Sequence, residues 1–116
     1  MRTFVLILLA FTAMSCTTHI DQVSPCLVAA DTIQYFAHVY PIIDRTCALP
    51  SCHVNGSEHG NFKIANEVIK AANSGKLEFM IVTKQMPAGI TQGKSILTDC
   101  EITIIKAWIH RGASLN

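Results

Sequence analysis

The sequence has little charge, few aromatic residues and no long apolar segment. Of its 116 residues, 15% are charged and 7% are aromatic, and the formal net charge is +1. A nucleic-acid-binding domain would need a basic stripe, which this near-neutral chain does not have, so nucleic acid is excluded as a partner. The longest apolar run, Phe4 to Phe11, is far shorter than the roughly 20 residues of a membrane-spanning helix. Internal repeats, low-complexity tracts and long charge runs are also missing, which leaves one small domain as the expectation.

The N-terminus has the pattern of an export signal. A single charge at Arg2 precedes the apolar run, and small residues follow up to Cys16. The segment "AMSC" (13–16) resembles the lipobox of bacterial lipoproteins, although Ala13 stands where leucine is usual. We therefore predict that 1–15 is a lipoprotein-type signal peptide and that Cys16 is acylated and anchors the protein to a membrane. The alternative is an ordinary signal peptide cut nearby, which would leave a spare thiol at Cys16.

The predicted export signal indicates the location of the mature protein and where its domain begins. The mature protein is expected on the periplasmic side of a membrane, with the outer membrane favoured. Loss of Arg2 with the signal would leave equal numbers of basic and acidic side chains. Residues 16–32 are interpreted as the lipidated N-terminus and tether, and 33–116 as the domain.

The predicted regular structure is helical. A first helix is expected over 37–47, with Pro41 in its first turn and one apolar face formed by Val39, Ile42, Ile43 and Cys47. A second is expected over 65–73, with Gly75 just past its end. The segment 89–95 is predicted to be a loop. No alternating apolar pattern indicates more than a short β element, so the domain should be mainly α with long loops.

The last helix has the clearest boundaries. Thr98 followed by Glu101 has the spacing of a capping box, and Gly112 is a stop signal. Between them Trp108 lies beside an apolar stripe formed by Ile102, Ile105 and Ile109.

Four cysteines remain if Cys16 is acylated, and three explanations of them are open. Two disulfides would suit an exported domain, but they leave unexplained why His53 directly follows Cys52. Zinc is possible, with His53 and His59 recruited, yet no second Cys/His cluster completes a familiar set. Covalent haem explains the histidine, because two thiols bind the porphyrin and the next residue lies beneath the iron.

The haem explanation needs two further features. The segment "CALPSCH" (47–53) has four residues between its cysteines instead of the usual two, and Pro50 could let the extra residues bulge. A sixth iron ligand is offered by Met86 in "KQMPAG" (84–89), where the following proline restricts the backbone. A loop methionine that packs over the core is the alternative.

Three separated motifs resemble a known family. "VYPIIDRTCALPSCH", "MPAG" and "LTDCEITIIKAWIHRGASLN" are similar to segments of the small single-haem cytochrome c domains of bacterial exported lipoproteins, in the same order. The resemblance covers 33–116, and the four-residue insert also occurs in that family. It implies a cytochrome c-like helical domain around one haem c attached to Cys47 and Cys52, with His53 as proximal and Met86 as distal iron ligand. It also implies a disulfide between Cys26 and Cys100.

The resemblance implies an electron-transfer protein and not an enzyme, because both axial positions of the iron would be filled by the protein. The expected partner is a redox protein or an exported oxidoreductase. Two alternatives stay open: a haem sensor or peroxidase-like protein with an open iron, or a haem-free, disulfide-stapled binding module. If Met86 is not the distal iron ligand, His59 is the first alternative. The side chains expected around the porphyrin are Ile43, Phe62, Ile105 and Trp108.

Overall fold

The computed structural model describes residue 26, residues 29–88 and residues 97–116. The signal segment, Cys16 and the predicted loop 89–95 lie outside the described residues. Within the described ranges all regular structure is helical, which confirms the mainly α prediction. A 3-10 turn and a π-helical segment precede four α-helices; in order these are Ala30–Thr32, Tyr35–Val39, α1 (Tyr40–Thr46), α2 (Ala65–Asn73), α3 (Lys76–Val82) and α4 (Asp99–His110). None of these helices is both long enough and apolar enough to cross a membrane.

The first predicted helix corresponds to the π-helical segment and α1 together. Pro41 lies in the first turn of α1, where its missing N–H breaks no intrahelical bond. The face predicted to be apolar is buried in the structure; it comprises Val39, Ile42, Ile43 and Cys47. The prediction of this inward face is confirmed.

The second predicted helix, 65–73, matches the bounds of α2, and its Val68 and Ala72 are buried. Gly75, with φ of 75°, lies between α2 and α3, and this left-handed conformation favours glycine. The chain therefore turns from α2 directly into α3. Helix α3 was not predicted, because it is short and has no side-chain cap at its N-terminus.

Helix α4 begins with the predicted capping box. Thr98 Oγ1 accepts from the Glu101 backbone N–H at 3.2 Å, and Glu101 Oε2 accepts from the Thr98 backbone N–H at 2.8 Å. Its buried face is centred on Ile104, Ile105 and Trp108. The predicted stripe is therefore shifted, because Ile102 and Ile109 are only partly buried and pack at the edge of the core.

A disulfide and a pair of hydrogen bonds connect α4 and its C-terminal end to the N-terminal part of the described chain. A disulfide joins Cys26 and Cys100, whose Cα atoms are 5.0 Å apart, a normal separation for such a bond. The Arg111 guanidinium donates to the carbonyls of Ala30 and Ile33 at 3.1 and 2.8 Å. The disulfide is consistent with the pairing that the family resemblance implies.

Candidate functional site

One cavity gathers side chains that lie far apart in the sequence. Its volume is about 410 Å³, within the roughly 300–1,000 Å³ of typical ligand pockets. The lining includes Cys47, Cys52, His53 and Met86. The structure therefore brings together all four side chains predicted to bind haem.

The segment with the two cysteines folds back on the end of α1. The Cys47 backbone N–H donates to the Ile43 carbonyl at 2.8 Å, which continues the helical turn. Further along, the Cys52 N–H donates to the Leu49 carbonyl at 2.9 Å, and the His53 N–H donates to the Cys47 carbonyl at 3.1 Å. The four residues between the cysteines thus form a bulge that these hydrogen bonds close. Cys52 and His53 therefore line the cavity despite the wide spacing of the cysteines.

The Cys47 sulfur lies in a protected environment. The side chain is buried, and burial is the main reason that the pKa of the Cys47 thiol is raised. The nearby Thr46 hydroxyl, 3.3 Å from Sγ, lowers that pKa and the proximity of Cys52 raises it. A raised pKa keeps the sulfur as a neutral thiol at neutral pH.

The His53 imidazole is fixed in orientation and tautomer. Its Nδ1 lies 3.0 Å from the His59 carbonyl oxygen, and since a carbonyl can only accept, Nδ1 must carry the proton. The Phe62 ring stacks on the imidazole, with centroids 4.0 Å apart and 11° between the planes. The Phe62 backbone N–H also donates to the His53 carbonyl at 2.9 Å. In the neutral imidazole this contact leaves the lone pair on Nε2, which is the arrangement that metal-binding histidines usually have.

Met86 is held in place by the end of α3. The backbone N–H groups of Gln85 and Met86 both donate to the Met80 carbonyl, at 3.0 and 3.1 Å. Met86 is half-buried and lines the cavity. Met80 is also half-buried and lines the same cavity, so the site holds a second thioether, which was not predicted. Met80 reaches the cavity through the packing of α3, which no local sequence pattern predicts.

Only part of the predicted porphyrin environment lies at the cavity. Phe62 lines it, whereas Ile43, Ile105 and Trp108 belong to the buried core among the described residues. The Trp108 indole N–H donates to the Ser114 carbonyl at 2.7 Å, and its ring lies 5.2 Å from the Tyr35 ring. These three residues therefore belong to the buried core, which was the alternative to a place around the porphyrin.

The other histidines have different surroundings. His59 is exposed and lines the cavity, so it stays the leading histidine alternative to Met86. His110 Nε2 lies 2.9 Å from Glu78, and His38 Nδ1 accepts from the Gln34 backbone N–H at 2.9 Å.

Two features of the described ranges bear on the zinc and disulfide explanations. No group of three or more His, Cys, Asp or Glu side chains there could hold a metal ion such as zinc. The disulfide joins Cys26 to Cys100, while Cys47 and Cys52 both carry thiols. A scaffold with a second disulfide between Cys47 and Cys52 is therefore not the arrangement found.

A scan against protein-family models found no match, and searches of the curated proteins and of the solved structures found none either. Function has to be inferred from the cavity and the groups that line it.

Proposed function

We propose that the protein is an exported single-haem c-type cytochrome that carries electrons between other proteins. The observation that carries this proposal is the convergence of two thiols, one oriented imidazole and one thioether on a single cavity. This donor set fits haem c, which needs two thiols for covalent attachment and two axial ligands for its iron. The largely apolar wall, including Leu77 and Ile81, suits a flat hydrophobic ring.

Each of the four residues has a distinct role in this proposal. The Cys47 and Cys52 thiols would hold the haem covalently, each sulfur bonding to one carbon of a vinyl group while its hydrogen goes to the other, so no oxidant or reductant would be consumed. His53 Nε2 and Met86 Sδ would be the iron ligands. When bound, the haem iron supplies one-electron chemistry by alternating between its ferric and ferrous states. The neutral thioether and the apolar wall both favour the ferrous state, which carries less positive charge.

The remaining features of the proposal follow from these roles. Because protein ligands fill both axial positions, a substrate has no open site at the iron, and the protein is proposed to be a carrier and not an enzyme. The cytochrome c-like domain spans 33–116, and acylation of Cys16 would hold it at a membrane on the periplasmic side. The partner would be a redox protein or an exported oxidoreductase.

Covalent attachment is the direct test. The full chain should be expressed with cytochrome c assembly machinery and its intact mass measured. We expect the mass of one haem to be added, with sharp absorption bands on reduction. A Cys47→Ser/Cys52→Ser variant should lose the addition, whereas the matched control Cys26→Ser/Cys100→Ser should keep it.

The outcomes separate the alternatives. A colourless wild-type protein without added mass would overturn the proposal and support the haem-free stapled module. Covalent haem whose reduced form binds carbon monoxide would support the open-iron alternative instead.

A further inference from the structure

The cavity lining is asymmetric in charge. Among the described residues, the lining contains one lysine, Lys76, and no aspartate or glutamate. Lys76 is the first residue of α3, the helix that also contributes Leu77, Met80 and Ile81 to the cavity. The positive charge therefore lies at the edge of a wall that is otherwise mostly apolar.

The ammonium group of Lys76 has no ion-pair partner within the described ranges. Lys63 and Lys84, in contrast, pair with Asp44 and Asp99. Lys76 is exposed, so its ammonium is hydrated and can turn toward a bound anion without the penalty of burying an unpaired charge. A ligand that fills the cavity and carries a carboxylate would find its complementary charge here and no repelling carboxylate in the lining.

We propose that Lys76 pairs with a propionate carboxylate of the haem, orients the ring in the cavity and raises the reduction potential. The proposal rests on the proposed function, because haem supplies the carboxylates. A fixed positive charge near the iron disfavours the ferric form more than the ferrous form, so its removal should shift the equilibrium toward the ferric state. For charges about 10 Å apart at effective dielectric constants between roughly 80 and 20, Coulomb's law gives a factor of about 2 to 20.

The experiment compares Lys76→Gln, Lys76→Arg and the control Lys70→Gln in fully assembled protein. Lys70 is an exposed lysine of α2 that does not line the cavity, and its change to glutamine removes the same charge. Each variant is equilibrated at the ambient potential that leaves the wild type half reduced, and the ferrous-to-ferric ratio is read from the visible spectrum. We expect the ratio to fall about 2- to 20-fold in Lys76→Gln. It should stay near the wild-type value in Lys76→Arg and in Lys70→Gln.

Two results would overturn the inference while leaving the proposed function intact: an unchanged ratio in Lys76→Gln with covalent haem present, or an equal fall in Lys70→Gln, which would indicate a general charge effect. If the proposed function itself is wrong, the wild-type protein will carry no covalent haem, which distinguishes that outcome from the two results above.

Discussion

His53 is oriented by its own chain before any cofactor enters. The His59 carbonyl fixes the protonated nitrogen, and the Phe62 ring fixes the plane of the imidazole. Such preorganisation reduces the rotamer entropy that would be lost on binding iron. These contacts lie in the stretch between Cys52 and α2, where the sequence has no helical or alternating apolar pattern that would predict them.

The presence of two methionines at the cavity gives the first prediction. We expect Met86→Ala to retain covalent haem and, once reduced, to bind carbon monoxide, because the sixth position of the iron would be open. The matched variant Met80→Ala should retain the wild-type spectrum and exclude carbon monoxide. Visible spectroscopy of both variants checks this. The reverse pattern would make Met80 the ligand, and an unchanged Met86→Ala spectrum would remove Met86 from the site.

Tyr35 gives the second residue-scale prediction. Its side chain is fully buried, and its hydroxyl has no hydrogen-bond partner in the part of the chain that the structure describes. A buried hydroxyl without a partner is destabilising, so Tyr35→Phe should raise the free energy of unfolding by about 1 kcal/mol. Urea unfolding at pH 7 measures the change. Tyr40→Phe, which removes a half-buried hydroxyl, is the control and should give no such gain.

The second prediction extends to the pH dependence of stability, because the same Tyr35 hydroxyl titrates. Burial, with a smaller contribution from Tyr40, raises the pKa of Tyr35 to about 12, against about 10 in an unfolded chain. Above about pH 10 the unfolded state loses this proton first, so the wild-type stability should fall as the pH rises toward 12. Tyr35→Phe lacks this titration, and its advantage over the wild type should grow between pH 10 and 11. An advantage that stays constant with pH would contradict the raised pKa.

At the scale of the elements, α4 has the best-defined start. Its capping box satisfies two backbone N–H groups that would otherwise have no partner, and Glu101 also forms an ion pair with Arg45 on α1. The start of α4 is therefore linked to the helix that leads into Cys47 and Cys52. Local sequence alone was enough to predict this boundary.

Loss of the cap gives the third prediction. Thr98→Ala should lower the free energy of unfolding by about 1 kcal/mol, because the Glu101 backbone N–H loses its side-chain acceptor. Thr98→Ser keeps the hydroxyl and should remain close to the wild type. Chemical denaturation of the three proteins measures the effect. Equal destabilisation by serine and alanine would show that the hydroxyl is not what stabilises the start of the helix.

At the scale of the whole molecule, the disulfide connects the first described residue to the last helix. Because Cys26 and Cys100 are 74 positions apart, the bond restricts the unfolded chain strongly. A domain this small buries a modest core, so such a constraint should matter to its stability.

Removal of this bond gives the fourth prediction. The loop-entropy model predicts that Cys26→Ala/Cys100→Ala lowers the free energy of unfolding by about 4 kcal/mol. Urea unfolding of the variant and of the wild type, with and without reductant, measures the difference. Reductant should destabilise the wild type and leave the double variant unchanged. A wild type insensitive to reductant would contradict a stabilising role for the bond.

The sequence by itself determined the features that depend on neighbours along the chain. The apolar face that includes Ile43, the bounds of α2 and the capping box of α4 were all predicted, because helical spacing and caps are local properties. The cysteine-histidine segment and the loop methionine were also identified from local patterns. That they line one cavity is a result of tertiary structure alone, since it depends on how α3 and the bulge after α1 pack together. The same packing brought Met80 and Lys76 to the cavity and moved Trp108 into the core, and no local pattern in the sequence encodes those contacts.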